Sequence, residues 1–223
     1  MMKLALGGGG DREDSRLLDE AFANWIGAQG YLLYLPVALR GLIPFAECEM
    51  WFRETFAPLG VRRIEMWTEL QGKVVADLDV FDGIYIGGGN TYGLLAELRA
   101  AGLDQAICAF AQSGRPIYGG SAGAAILGSD IETIAHIDHN EVGLTDMTGL
   151  NLVGGSAVWV HYSEQDDSRI RAFVERRRTA VIAIPERSGV ITDADRVMTV
   201  GFETSFYFDQ LGDKVAIPME ELE

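Results

Sequence analysis

The sequence predicts an α/β fold in which helices cover both faces of a mostly parallel sheet. Two observations support this prediction. Short apolar segments alternate with amphipathic segments of helical length through the first half of the chain, as expected of consecutive β-α units. Glycine-rich turns also follow apolar segments at 7–10, 87–89 and 119–123. Because 48% of the 223 residues are hydrophobic and 23% are charged, we expect one globular domain over residues 1–223.

Periodicity predicts the elements of the first half. Short apolar runs bounded by glycine, proline or polar residues predict strands, and apolar residues recurring every three or four positions predict helices. The predicted strands are 3–6, 31–35, 61–67, 82–86 and 116–118. The predicted helices are 15–28, 44–56, 91–100, 103–112 and 122–127. Because helices separate these strands, we expect the strands to run parallel.

The second half has a different pattern. Residues 128–149 are polar and show no clear period, which predicts a long loop. Short strands are predicted at 152–153, 157–162, 179–184, 189–192 and 196–200, and one helix at 166–177. Strands that follow one another so closely favour an antiparallel or mixed edge of the same sheet.

Charge and cysteine content exclude several classes of partner. The chain carries 18 basic and 33 acidic side chains, a net charge of −15, which disfavours nucleic acid and anionic membrane surfaces. No uninterrupted apolar stretch is long enough to span a membrane. Cys48 and Cys108 show neither metal spacing nor a disulfide framework. We therefore expect a cytoplasmic protein without a metal or other cofactor.

The sequence from Gly119 to Gly123 matches the nucleophile elbow G-x-S-x-G. An apolar strand precedes it and a run of small residues suited to a helix follows it, as such an elbow requires. The sharp turn would expose the hydroxyl of Ser121 and aim the amide of Ala122 at the same space. An ordinary tight turn is the alternative interpretation, so the prediction depends on finding the partners of the serine.

The other glycine turns should meet this elbow at the carboxyl ends of the strands, where ligands of such sheets bind. Neither 7–10 nor 87–89 completes the dinucleotide pattern G-x-G-x-x-G, and no P-loop lysine follows. The amides of Gly88 and Gly89 are therefore predicted as a second oxyanion donor beside that of Ala122. For 7–10, a tight turn without a functional role is an equal alternative.

A serine nucleophile needs a base, and the chain has three histidines. His161 ends an apolar strand and is the predicted base, whereas His136 and His139 lie in the polar loop. We interpret these two as loop residues that help to form a pocket, with metal binding as the alternative. Glu186 also follows an apolar strand and is the predicted partner of His161; Asp138 and Asp146 are the alternatives.

With Ser121, His161 and Glu186 in this order, the chain resembles the dipeptidase E family of serine peptidases, which are relatives of cyanophycinase. The resemblance also rests on Gly-Gly-Gly-Asn-Thr at 87–91, and it spans nearly the whole chain. It implies an α/β sandwich like that of class I glutamine amidotransferases, a Ser-His-Glu triad, and cleavage of short peptides that begin with aspartate. Isoaspartyl or cyanophycin-type dipeptides, another acyl group, and a non-enzymatic anion-binding module are the alternatives.

A small peptide is thus the expected partner, and an aspartyl substrate would need a cation in this anionic protein. Arg169 and Arg171, on the helix after His161, are the candidates, with Arg12 in the first glycine turn as a third. Two positions apart on a helix, Arg169 and Arg171 do not share a face. Asn90 is a further candidate for substrate binding. The oligomeric state is left open, with a homodimer as one option.

Overall fold

A seven-stranded sheet forms the centre of the fold, with strand order β3-β2-β4-β5-β1-β8-β9. The computed structural model describes residues 2–193 and 196–220. The strands of this sheet are β1 (Lys3–Gly7), β2 (Tyr31–Leu35), β3 (Arg63–Met66), β4 (Gly83–Ile86), β5 (Ile117–Gly120), β8 (Ser188–Asp193) and β9 (Arg196–Gly201). The first five pair in parallel, whereas β8 and β9 form an antiparallel edge next to β1. The predicted mostly parallel sheet with a mixed edge is confirmed.

Helices cover both faces of this sheet. The helices are α1 (Arg12–Ile26), α2 (Phe45–Phe56), α3 (Thr91–Ala101), α4 (Leu103–Gln112), α5 (Ala122–Leu127) and α6 (Asp167–Arg177). Side chains alternate along each buried strand: in β2, Leu33 packs with α3, α4 and α5, whereas Tyr34 packs with α1 and α2. Each face of the sheet therefore has its own hydrophobic core, which explains why the central strands are apolar at every position.

A second sheet of four strands, in the order β11-β10-β7-β6, was not predicted. Its strands are β6 (Ala157–Trp159), β7 (Val181–Ala183), β10 (Phe206–Phe208) and β11 (Lys214–Ala216). It packs on α6 through Trp159, Phe173 and Phe208. β6 and β7 lie within the strands predicted at 157–162 and 179–184, but they belong to this second sheet and not to the edge of the main one. β10 and β11 were missed because strands of three residues are too short to show alternation, and the strand predicted at 152–153 was wrong.

The carboxyl ends of the central parallel strands lie side by side. In the register of the sheet, Gly7 of β1 pairs with Gly120 of β5, and Ile86 of β4 pairs with Gly119. The three glycine turns therefore meet at one edge, as the sequence predicts. In the part of the chain that the structure describes, no helix has the length and apolar character needed to cross a membrane.

Candidate active site

Ser121 occupies a strained turn between β5 and α5. Its backbone has φ 48° and ψ −107°, a positive φ that side-chain-bearing residues seldom adopt. Glycine is required on both sides of Ser121 for two different reasons. A Cβ on Gly119 would lie 2.5 Å from the carbonyl carbon of Gly123 within the turn, and one on Gly123 would lie 2.2 Å from the carbonyl oxygen of Ile86 in β4. The amide of Ser121 donates to the carbonyl of Gly7, which ties the elbow to β1.

The imidazole of His161 lies against this serine. Nε2 of His161 is 2.8 Å from Oγ of Ser121, a hydrogen-bond distance suited to proton transfer. His161 also has a positive φ of 53°, and its amide donates to the carbonyl of Gly8 at 2.8 Å. A Cβ on Gly9 would lie 2.2 Å from Cε1 of the imidazole. The first glycine turn therefore provides the surface on which the ring rests.

Glu186 completes a chain of hydrogen bonds. Its Oε1 lies 2.8 Å from Nδ1 of His161, and its side chain is 57% exposed while that of His161 is 31% exposed. The alternative acids are engaged elsewhere: Asp138 accepts a hydrogen bond from the amide of Thr91 at 2.7 Å. Asp146 forms an ion pair with Arg99 at 3.2 Å.

Three backbone amides suit an oxyanion beside Ser121. Ala122 contributes the first amide of α5, which has no acceptor within its own helix. Gly88 lies so close that a Cβ there would be 3.3 Å from Cβ of Ser121. Within residues 2–193 and 196–220, neither the Gly88 nor the Gly89 amide donates a hydrogen bond. These amides are thus available to a ligand.

A cavity of about 520 Å³ opens beside Ser121 and His161. Besides these two and Glu186, its lining residues are Gly89, Thr91, Ile134, Ile137, Asp138 and Val160. Its ionisable groups, apart from His161, are the carboxylates of Asp138 and Glu186. The polar loop predicted at 128–149 therefore supplies one wall, and Asp138 faces the cavity although it does not contact His161. From the sequence, Asp138 is considered only as an alternative partner of His161.

The arginines predicted to bind substrate do not line this cavity. Each is paired with an acidic side chain: Arg12 with Glu54 at 3.0 Å, Arg169 with Asp166 at 3.2 Å, and Arg171 with Asp167 at 3.4 Å. Two of these pairs lie within one helical segment, where i,i+3 and i,i+4 neighbours meet. Local acidic partners therefore hold Arg169 and Arg171 on the surface of α6.

The other residues predicted to bind substrate or to form the pocket make contacts within the protein. The carbonyl of His139 accepts a hydrogen bond from the side chain of Asn90, which caps α3 by accepting from Gly93. His136 stacks on Trp159 with ring centroids 4.5 Å apart, and burial lowers the pKa of this histidine. Among the described residues, no cluster of His, Cys, Asp and Glu could hold a metal ion.

A buried polar group lies behind the elbow and was missed from sequence. Asp19 of α1 is 1% exposed, accepts a hydrogen bond from Ser15, and has its pKa raised to about 6, mainly by burial. Burial, and secondarily the charge of Asp19, also raise the pKa values of Tyr85 and Tyr118. The hydroxyl of Tyr118 lies 3.2 Å from where a Cβ on Gly7 would be. The amphipathic pattern of α1 did not indicate that Asp19 is buried, because an aspartate in such a helix is expected on the surface.

Comparison with known proteins identifies relatives of this chain. An uncharacterized peptidase of Listeria monocytogenes serovar 1/2a is 37% identical over 105 residues, which cover 46% of this chain and 51% of the relative. Peptidase E of Streptomyces coelicolor is 27% identical over 137 residues, which cover 58% of this chain and 56% of the relative. The matches thus span about half the length of these curated relatives.

Solved structures share the fold over nearly the whole chain. A putative peptidase E from Listeria monocytogenes EGD-e has a TM-score of 0.72 at 23% identity, covering 91% of this chain and 100% of that one. A peptidase from an acI-B1 Actinobacterium has a TM-score of 0.75 at 20% identity, covering 99% and 96%. The resemblance predicted from the sequence is confirmed by the family model of peptidase family S51, which matches residues 3–200. This chain therefore belongs to peptidase family S51.

Proposed function

We propose that this chain is a serine peptidase that cleaves short peptides through Ser121, His161 and Glu186. The observation that carries the proposal is the unbroken series of two 2.8 Å contacts, from Oγ of Ser121 through the imidazole to Oε1 of Glu186. A nucleophile, a base within hydrogen-bond reach and a group that orients the base are the parts that acyl transfer needs. Membership of peptidase family S51 supports the same assignment.

Each group has one role in the proposed reaction. Oγ of Ser121 bonds to the scissile carbonyl carbon while its proton moves to Nε2 of His161, and Glu186 stabilises the imidazolium. The amides of Ala122 and of Gly88 or Gly89 stabilise the oxyanion. When the C–N bond breaks, the proton passes from Nε2 to the leaving amine. Water, deprotonated by His161, then hydrolyses the acyl ester, which releases the acid and restores the Ser121 hydroxyl.

Short peptides with a free amino terminus are the proposed substrate class. Asp138 lines the cavity beside Ser121, and its negative charge favours an α-ammonium group there. Family resemblance further suggests an N-terminal aspartate, which we retain as the first specificity to test. Such a preference would need a cation near the substrate carboxylate, and any of Arg12, Arg169 and Arg171 would have to leave its acidic partner to supply it.

Labelling with a fluorophosphonate and a panel of dipeptides test this proposal. Loss of the nucleophile of a triad lowers turnover on the order of 10⁶-fold, so Ser121→Ala should abolish both labelling and hydrolysis, and His161→Ala should abolish labelling. Ser113→Ala is the matched control, because Ser113 lies between α4 and the amino end of β5, whereas Ser121 follows the carboxyl end of that strand. Hydrolysis by Ser121→Ala at the wild-type rate would contradict the proposal.

The panel also separates the alternatives. Aspartyl, isoaspartyl and neutral dipeptides, together with a simple ester, distinguish a peptidase from a hydrolase for another acyl group. An unlabelled protein that hydrolyses none of these would instead agree with an anion-binding module, in which Ser121 only donates a hydrogen bond.

A further inference from the structure

A second cavity, of about 590 Å³, lies between α2 and the turn at 87–89; we call it the α2 cavity. It adjoins the proposed catalytic centre because Gly89 lines both cavities. Gly88 also lines the α2 cavity, and a Cβ on this glycine would be 3.3 Å from Cβ of Ser121. A substrate whose scissile carbonyl oxygen binds the amides of these glycines would therefore place the side chain of an adjacent residue at the opening of the α2 cavity.

The inner surface of the α2 cavity is apolar and aromatic. Tyr34, Cys48 and Tyr85 line it and are 1%, 4% and 5% exposed. The remaining apolar lining residues are Leu39, Ile43, Met50 and Trp51. Ile43 and Met50 are 42% and 58% exposed, so the cavity presents apolar surface to solvent that a bound hydrocarbon chain would cover.

The charged groups of the α2 cavity are all acidic. Asp11, Glu47 and Glu54 line it, and no lysine or arginine does so among the residues described. Asp11 accepts hydrogen bonds from the first amides of α1, and Glu54 is paired with Arg12. Of the three, Glu47 has neither an ion pair nor a helix-capping hydrogen bond within the described part of the chain, so its carboxylate is the most available to a ligand cation.

We propose that the α2 cavity is a specificity subsite for a long side chain that ends in a cation, on one of the two residues that flank the scissile bond. A lysine or arginine side chain fits both properties of the cavity. Its hydrocarbon stem covers the apolar surface, while its charge approaches Glu47 and the faces of the aromatic rings. This inference rests on the proposed function, because it takes Ser121 as the reacting group.

Two series of dipeptides test the subsite. In each series the fixed residue is the one that gives the fastest hydrolysis in the dipeptide panel, and the other residue is lysine, norleucine or glutamate, so that lysine and norleucine differ only in the terminal charged group. At one of the two positions, kcat/KM should be about twofold to fivefold higher for lysine than for norleucine, the size expected for exposed charges. The glutamate peptide should be the poorest of the three at that position.

Substitution of Glu47 identifies the source of the preference. Glu47→Gln should lower the lysine-to-norleucine ratio about threefold, and Glu47→Lys should bring it below one. The matched control is Glu49→Gln on the same helix: Glu49 pairs with Arg53 at 2.8 Å and does not line the cavity. This variant loses the same charge and should leave the ratio unchanged.

The outcomes separate this inference from the proposed function. Equal kcat/KM for lysine and norleucine at both positions, or a ratio that Glu47→Lys does not change, overturns the subsite while labelling of Ser121 still supports the peptidase. A protein that neither reacts with the fluorophosphonate nor hydrolyses any dipeptide overturns both.

Discussion

Gly9→Ala should slow the reaction of Ser121 about 10²-fold without altering any group that reacts. The new Cβ would lie 2.2 Å from Cε1 and 2.5 Å from Nδ1 of His161, whereas carbon atoms pack at about 3.5 to 4.0 Å. The imidazole must therefore move by more than about 1 Å, since the hydrogen bond from the amide of His161 to Gly8 prevents the two segments from separating. A misplacement of about 1 Å costs about 10²-fold in rate.

The rate at which a fluorophosphonate labels Ser121 measures this effect without knowledge of the substrate. Because Gly9 has φ +133°, alanine there also strains the backbone, so thermal unfolding must be recorded in parallel. Gly154→Ala is the control: Gly154 has φ +64° with no atom within 4 Å of its Cβ position, so it introduces strain without a clash. Labelling of folded Gly9→Ala at the wild-type rate would show that the position of the imidazole does not limit the reaction.

Two further substitutions test the site and the core behind it. Glu186→Gln should slow labelling of Ser121 about tenfold to a hundredfold. The loss should be smaller than the ~10⁴-fold for a buried triad acid, because the Glu186 side chain is 57% exposed. The exposed Glu164→Gln is the control, and an unchanged labelling rate in Glu186→Gln would refute the orienting role. Because burial raises the pKa of Asp19 to about 6, the folded protein binds this proton more tightly than the unfolded chain does. Stability relative to Asp19→Asn should therefore fall by about 3 kcal/mol between about pH 3.5 and about pH 7.5. Urea unfolding at both pH values measures this difference, with exposed Glu13→Gln as control; a pH-independent difference would mean that Asp19 titrates normally.

The main sheet was predictable because its signals are local. Each central strand is an apolar run long enough to recognise, and the helices between them carry clear periodicity. Prediction matched observation at Tyr31–Leu35 and Leu103–Gln112. Half of the second sheet was not predictable in this way, because Phe206–Phe208 and Lys214–Ala216 are too short to carry a period. β10 pairs with β7, and β11 pairs with β10; β10 is held there by a tertiary core in which Phe208 packs with Trp159.

The candidate site was predictable where the local sequence alone indicates the position of a residue. The glycines around Ser121 match a known elbow pattern, and His161 and Glu186 each follow a recognisable strand. The surroundings of the site were less accessible. Arg169 and Arg171 appeared suitable for a substrate carboxylate, yet their acidic partners lie three and four residues away on the same segment. Asp138 enters the cavity through a loop without periodicity, which no local rule predicts.

The first glycine turn shows how packing supplied what local rules could not. A tight turn without function was an equal alternative for 7–10, yet this segment contacts both partners of Ser121. A Cβ on Gly8 would lie 1.9 Å from the carbonyl oxygen of Pro185, and one on Gly10 would lie 2.8 Å from that of Glu186. Gly9 lies under the imidazole. Because Glu186 and His161 follow strands of the second sheet, these glycines are where that sheet meets the main one, and their lack of side chains allows His161 to reach Ser121.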